Sequence, residues 1–535
     1  MTDVIGAALD HLIAFVAQWW ILIALLAVAF SVRWPPIKLR VPAMTPLRAY
    51  GMVFAIALAW IVTPAFVRGL PVPWMHDDYS SLLGGEMVAQ GHTSYPPHPM
   101  WRHFETPHQL QLPRRASKYQ PGQLLVLAAG IRIAGQAIAG EWLITALAAA
   151  AICWAAFGWV DAGLALLVGL VAAIHPTTLE WGEAYRGGGL AAFAGALAIG
   201  STGRLMRDAR ARDGCLLGIG VVLLAITRPY EGAALAIVCG AMVIRRVKPL
   251  LVAAAVVALG MIGIALWNWS ITGKPLVMPY VEYERQYAGE PLFIFQRLRP
   301  QPANLNAEMA TTDRVYAGHY SRARAHPMVE LYGKFADVGK FLFGAPSYGA
   351  IARVWPLFLL SFAGLVPLLR REASARSLAL VASVVIVALL LFTGWLLPHY
   401  LAPIAAAAWI ALVWSALSIP RQRGTLLIAL LFVVNACGAW WTRTSDRSRY
   451  LERDRRAIEQ SLRADGKRDL ILVPSWMFDV VYNHPDIDAQ DVVWARDLGA
   501  AANQPLLRYY GDRVVWRLTR DAGGRLALQR EPMKR

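Results

Sequence analysis

The amino-acid sequence predicts a polytopic α-helical membrane protein of about twelve crossings, with a small C-terminal α/β domain outside the bilayer. Three observations carry this prediction. Of the 535 residues, 57% are hydrophobic and only 16% charged, and mean hydropathy is +0.43, far from the soluble balance. The apolar residues gather in runs that approach the ~20 residues needed to cross a bilayer. After residue 441 that character is lost, and charged stretches alternate with short apolar pieces. The net charge of +17 would point to nucleic acid in a soluble protein. Here Lys and Arg concentrate in short connections between apolar runs, the pattern that sets membrane orientation. Cys153, Cys215, Cys239 and Cys437 all fall inside apolar segments without a CxxC, which argues against a disulfide framework or a thiolate metal site.

In chain order, the candidate spans are 11–32, 49–69, 121–138, 142–160, 162–178, 189–203, 214–228, 230–244, 249–271, 351–369, 378–397, 401–418 and 425–441. The first lacks the basic region of a signal peptide and reads as a retained helix. Arg33, Lys38, Arg40 and Arg48 place the first connection in the cytoplasm, which puts the loop 74–121 outside. If every run crossed, Arg204, Arg207, Arg210 and Arg212 would also lie outside, as would Arg370, Arg371, Arg421 and Arg423. Removing one crossing repairs all of these together. The segment 121–138 opens with Pro121-Gly122 and contains Gly130, Arg132 and Gly135, so it is expected to be a juxtamembrane or re-entrant helix. Both termini then lie outside.

Under this arrangement the polar connections collect on the outer face. They are loop 74–121, the stretch from Glu180 through Glu183 to Arg186, the turn Arg228-Pro229-Tyr230-Glu231, the long segment 273–348, and Pro398-His399-Tyr400. The long segment carries Tyr280, Tyr283, Glu284, Arg285 and Tyr287, a composition suited either to a sugar or headgroup surface or to a structural cap. Beyond 441, a charged helix-like run, 443–462, precedes Gly466 and the apolar pieces 470–473, 492–494 and 514–516, the pattern of a small α/β unit. It contains no GxGxxG, P-loop or metal-ligand spacing that would name a ligand.

Loop 74–121 holds the residues best suited to chemistry. Asp77 and Asp78 are adjacent where a span emerges, and their mutual repulsion is expected to raise one carboxyl toward the range of a working base unless a cation or hydrogen bonds offset it. Helix capping or solvation at the lipid boundary is the plain alternative. Lys118, Arg114, Arg115, Arg186 and Arg228 all fall outside, where ammonium and guanidinium groups suit a lipid phosphate. Arg228 and Glu231 either join that clamp or form a local ion pair across a tight turn. His98, His103 and His108 are spaced five apart among prolines, which is no zinc spacing, and no metal ligand is assigned.

The segments His76-Asp77-Asp78-Tyr79-Ser80, Ser117-Lys118-Tyr119-Gln120-Pro121, Arg228-Pro229-Tyr230-Glu231-Gly232 and Pro398-His399-Tyr400 resemble those of uncharacterised bacterial members of the GT-C class of membrane glycosyltransferases. Protein O-mannosyltransferases and lipid A aminoarabinose transferase are better-known members of that class. The class signature is Asp-Glu in the first outer loop; here Asp78 stands in the Glu position and Asp77 in that of the catalytic Asp, while the Lys-Pro-Pro element is only loosely echoed. The resemblance implies a GT-C-like membrane unit over 1–441, with periplasmic loops at about 70–141 and 273–348, and a soluble periplasmic α/β domain over 442–535 in the bacterial inner membrane. It implies an inverting transfer of a hexosyl or pentosyl group from a polyprenyl-phosphate donor to a hydroxyl or amine of an envelope glycan, lipid or protein. Asp77 and Asp78 would be catalytic; Lys118, Arg228 and Arg186 would hold the donor phosphate; His76, Tyr79, Glu183, Tyr230, Glu231, His399 and Tyr400 would line the substrate site. No cofactor is required by this reading, and a divalent metal is compatible with it. The competing class is a transporter or flippase of lipid-linked glycans, which calls for ionisable or helix-breaking residues at mid-membrane in two repeats. No such repeat is visible. A receptor or assembly scaffold built on the C-terminal unit is a third reading.

Overall fold

The computed structural model describes residues 44–531, except 304, 345–364, 367, 419–431, 434, 442–449, 478 and 522. The expected span 11–32 lies outside the described residues, as do most of 351–369 and half of 425–441. The membrane part is built from α1 (Pro46–Arg68), α2 (His76–Ala89), α3 (Pro121–Ala134), α4 (Ala137–Ala156), α5 (Ala162–Ile174), α6 (Pro176–Gly182), α7 (Gly188–Arg207), α8 (Ala211–Ala225), α9 (Pro229–Met242) and α10 (Val247–Thr272). Then come α11 (Pro279–Tyr287), α12 (Ala307–Ala325), α13 (Pro327–Phe343), α14 (Ala373–Phe392) and, after a 3-10 turn at Pro398–Ile404, α15 (Ala405–Leu417). Among the described residues six helices are long and apolar enough to cross a membrane, or seven if α5 and α6 are one bent span. The chain is therefore a polytopic membrane protein.

The span expected over 162–178 is broken. Helices α5 and α6 meet at 52° around His175-Pro176, because proline has no N–H to donate and drives the preceding residue to extended backbone, here φ −61°, ψ 137°. The His175 ring accepts from the Thr177 N–H at 3.2 Å and so caps the second piece. Segment 121–138 forms α3, of 14 residues. At 1.5 Å per residue that is about 21 Å, short of the hydrocarbon core.

Alanine and glycine dominate the helix contacts, since without a hydrophobic drive in lipid the helices associate by close approach. One such close approach sets the position of α3. A Cβ on Gly140 would sit 2.0 Å from the Val126 carbonyl oxygen, and one on Gly130 would sit 2.4 Å from the Gly140 nitrogen. At the end of α7 opposite Gly188, Arg204 donates to the Trp154 carbonyl at 2.7 Å and Arg246 to the Met206 carbonyl at 2.8 Å. Several basic connections thus gather at one end of the helices.

Residues 450–531 carry α16 (Tyr450–Arg463), β3 (Asp469–Val473), β4 (Val492–Arg496), α17 (Ala500–Tyr509), β5 (Val514–Arg520) and β6 (Leu526–Arg530), while β1 (Gln109–Leu110) and β2 (Ala116–Ser117) pair within loop 74–121. The sheet order is β4-β3-β5-β6, parallel except for the last pair. Every residue of β3 is buried, as its unbroken apolar run requires of a strand covered on both faces. Ile471 and Val473 pack toward Leu462 of α16, whereas Leu470 and Leu472 pack toward Leu506 of α17 and Phe104 of loop 74–121.

Gly140→Val should lower the thermal midpoint of the purified protein, by the loss of about 1–3 kcal/mol that overpacking typically costs. Gly51→Ala, whose added Cβ meets nothing within 4 Å, should leave it unchanged. Equal midpoints for the two variants would show that the α3–α4 contact is not required.

Candidate functional site

The site forms where α2 begins. Asp77 and Asp78 occupy the first turn of α2, where the unsatisfied N–H groups favour negative charge. Their side chains then diverge. Asp78 is fully buried, accepts from the backbone N–H groups of Trp74 and Tyr185, both at 3.3 Å, and faces the Arg186 guanidinium at 3.6 Å. Asp77 instead accepts hydrogen bonds from His108 Nδ1 and the Tyr119 hydroxyl, which are themselves 3.0 Å apart.

This corrects the expected electrostatics. Burial pushes the Asp77 carboxyl up, but His108, His76 and Lys118 together outweigh it and hold the group well below the usual carboxylate range. Burial, then the Lys118 charge, push His108 down to about 3 against the pull of Asp77, so its ring is neutral and donates from Nδ1. Burial keeps the Tyr119 hydroxyl protonated well past its ordinary range, as do Asp77 and the neighbouring tyrosines. Asp77 is thus an anion with two donors, and repulsion by Asp78 does not raise it because Asp78 is matched with Arg186.

His108 adopts φ +65°, unusual for a residue with a side chain. Its carbonyl is fixed by the Ser80 hydroxyl and by the Lys118 N–H at 3.2 Å. His76 stands edge-on to His108 at 4.4 Å, with Nε2 2.6 Å from the Tyr316 hydroxyl and Nδ1 3.3 Å from Asp479. Lys118 is buried under Tyr280, Tyr283 and Tyr119, at 4.5, 4.7 and 5.5 Å from their ring centres, and 3.7 Å from Glu284. Burial lowers its pKa, while Glu284 and Asp77 pull it back. It is engaged in a cage, unlike the open phosphate ligand expected.

The other expected residues divide into two groups. Arg228 lies over the Tyr400 ring at 4.6 Å, not at ion-pair distance from Glu231, and donates to the Arg186 carbonyl at 3.5 Å. The charges of Arg228, Arg186 and Asp77 all act on His399. These residues share one locality with Asp77. Glu183, in contrast, is buried in an ion pair with Arg68 that ties α1 to α6. Tyr230 donates to the Ala388 carbonyl at 2.9 Å, Glu231 is buried in the first turn of α9, and Tyr79 donates to Glu452 of α16 at 2.6 Å.

Loop 74–121 is not a solvated loop. His98 meets Asp488 at 3.1 Å, His103 bonds the carbonyls of Arg496 and Ala502, and the buried Arg115 donates to those of Asn483 and His484 at 2.8 and 2.9 Å. His98 and His103 therefore dock the loop onto residues 483–502, and Arg115 belongs to that contact. Only His108 of the three histidines reaches Asp77. His76, Asp77 and His108 offer ligand atoms within 4.8 Å of one another, so a divalent first-row cation with nitrogen and oxygen ligands fits these donors. No spacing announces this trio, because two members are sequence neighbours and the third lies 31 residues away. Tyr316 and Asp479 were equally invisible in the sequence; Tyr280 and Tyr283 were marked only by the aromatic content of their segment.

No protein-family model matches the chain, and no curated protein matches its sequence. Among solved structures, ArnT from Cupriavidus metallidurans in the apo state aligns with a TM-score of 0.50 at 11% identity, over 90% of this chain and 94% of that one. The oligosaccharyltransferase of Archaeoglobus fulgidus in complex with Zn and sulfate aligns with a TM-score of 0.46 at 13% identity, over 79% of this chain. This chain spans 60% of that protein's length. The archaeal oligosaccharyltransferase AglB, from the same organism and in complex with an inhibitory peptide and a dolichol-phosphate, aligns with a TM-score of 0.47 at 12% identity, over 91% of this chain and 75% of that one. At these identities the likeness is one of fold.

Because the folded His108 pKa is about 3 against an ordinary 6.5, the unfolded chain binds an extra proton between these values. The stability it contributes is full above about 6.5 and is lost as pH falls toward 3; Asp77, also depressed, adds a loss below the ordinary carboxylate range. The thermal midpoint should therefore fall from pH 6.5 to pH 4, and less steeply in His108→Gln. Equal slopes in the two proteins would contradict the neutral assignment of His108.

Proposed function

On the GT-C fold that this chain shares with ArnT of Cupriavidus metallidurans, we propose that it is an inverting membrane glycosyltransferase. It moves a sugar from a polyprenyl-phosphate-linked donor to a hydroxyl or amine on the outer face of a bacterial inner membrane. The observation that carries this reading is Asp77, an ionised carboxylate held by His108 and Tyr119 at the start of α2, in one locality with Arg186 and Arg228.

The chemistry follows from those groups. Asp77 orients the acceptor hydroxyl and takes its proton as the new bond forms at the anomeric carbon. The bond from that carbon to the phosphate oxygen breaks at the same time, and charge accumulates on the phosphate. Arg186 and Arg228 are placed to meet that charge, and guanidinium matches phosphate with two donors. A phosphate is a good leaving group, so the proton moves late and a weak base suffices. Lys118, caged beside Asp77, balances the carboxylate charge and is not assigned to the donor. A divalent cation held by His76, Asp77 and His108 would supply a Lewis acid for the acceptor.

The outer location is supported by the gathering of Arg204, Arg207 and Arg246 at the far end of α7 from Arg186, since basic connections stay in the cytoplasm. We take 1–441 as the membrane unit and 442–535 as a periplasmic unit covering it.

Asp77→Asn keeps the shape and removes the charge, so transfer should fall by at least the ~10²-fold typical of a lost general base, with folding preserved. A purified Asp77→Asn protein transferring at the wild-type rate would sink the reading. Arg228→Ala should weaken binding of undecaprenyl phosphate about tenfold or more, as loss of a charge-assisted hydrogen bond implies. Unchanged affinity would remove Arg228 from the donor site.

A further inference from the structure

The polar contacts of His76 extend beyond the membrane unit. Its Nδ1 faces Asp479, which follows β3 in the C-terminal segment, at 3.3 Å, and its Nε2 faces the Tyr316 hydroxyl of α12 at 2.6 Å. Asp479 has φ +56°, a left-handed conformation that a residue with a side chain adopts only where its surroundings impose it. Those surroundings are visible. The Asp479 N–H donates to Glu308 at 2.8 Å. Glu308 is fully buried and ion-paired with the equally buried Arg496 at the end of β4, and Arg496 also donates to the Met477 carbonyl at 2.6 Å. Removing either member of such a pair would leave an uncompensated buried charge. The turn is thus clamped from α12 and from the sheet, and the clamp delivers one carboxylate to one ring nitrogen.

We propose that Asp479 is a positioning residue of the transfer site: it holds the His76 Nδ1–H toward its own carboxylate and so leaves Nε2 as the lone-pair nitrogen beside Tyr316. A carboxylate on one imidazole nitrogen fixes the tautomer and the ring angle and leaves the other nitrogen to accept a proton or bind a cation. The charged and titratable groups around the ring are Asp77, Asp479, Glu308, Lys118, His108 and Tyr316. Of these, only Asp479 lies outside the membrane unit in sequence. The C-terminal segment therefore completes the site as well as covering it. This inference rests on the reading of Asp77 as the transfer site.

The test uses the full chain in lipid nanodiscs with ¹⁵N-labelled histidine, the His76 signal being identified by its loss in His76→Gln. Asp479→Gly removes the carboxylate while suiting the positive φ. At a pH where the His76 ring is neutral, wild type should show it protonated at Nδ1 with Nε2 as acceptor, and Asp479→Gly should redistribute the tautomers. Sugar transfer should fall about 10–100-fold, the usual cost of removing such a supporting group. Binding of undecaprenyl phosphate, the probe for an intact fold, should be unchanged. An Nε2–H tautomer in wild type, an unaltered His76 signal in Asp479→Gly, or loss of probe binding together with the signal change would each overturn the proposal. The tautomer is read without any donor sugar, so a failure of the transferase reading shows as absent transfer in wild type and leaves the tautomer result standing.

Discussion

Asp77 is a half-buried anion, and a carboxylate partly removed from water stays ionised only where donors and positive charge replace the hydration it has lost. The architecture around it meets that demand from separate parts of the chain. The first turn of α2 places the group at a helix N-terminus, loop 74–121 returns His108 and Tyr119 as donors, and Lys118 adds charge from within a tyrosine cage. That cage requires α11, which supplies Tyr280 and Tyr283 together with the counter-charge Glu284. Asp78 meets the same demand separately, facing Arg186 at 3.6 Å, so the carboxylate beside Asp77 has its own counter-charge.

The docking of loop 74–121 follows from the same constraint. The loop that brings these donors to a half-buried carboxylate is itself removed from water at His108 and Lys118, and its backbone and charges then need partners. The C-terminal sheet provides them. His103 and Arg115 bond to carbonyls between Asn483 and Ala502, and Phe104 fills the face of β3 and β4 beside α17. Tyr79 and Glu452 tie α2 to α16. The C-terminal unit is accordingly joined to the membrane unit through buried polar contacts as well as apolar packing.

These partnerships explain what the sequence could and could not disclose. Membrane helices were legible because bilayer thickness acts on each run separately, and the position of Asp77 was legible because it borders such a run. The break at Pro176 was a local signal read past, since mean hydropathy continues through it. His98 and His103 carried a periodic spacing that suggested a common role, but their partners lie about 390 residues away, and only tertiary contact separates them from His108. Glu183 and Tyr79 were polar residues near the outer face, and the fold uses one in an ion pair and the other as a tie to α16. The shift of Asp77 downward could not be read either. Adjacent carboxylates predict repulsion only if they share an environment, and the first turn of a helix sends successive side chains about 100° apart.

A site assembled across two parts of the chain has a mechanical consequence. Electrostatic groups act more strongly where water is reduced, and the interlocked loop and sheet keep Asp77 half-buried. The same interlock fixes Asp479 through Glu308 and Arg496, so the ring of His76 is oriented by the element that also closes the site. Orientation and closure are therefore coupled: a displacement of the C-terminal sheet that admitted water would also withdraw the carboxylate from Nδ1. The polar groups that hold the cover in place are the ones that set the geometry beneath it.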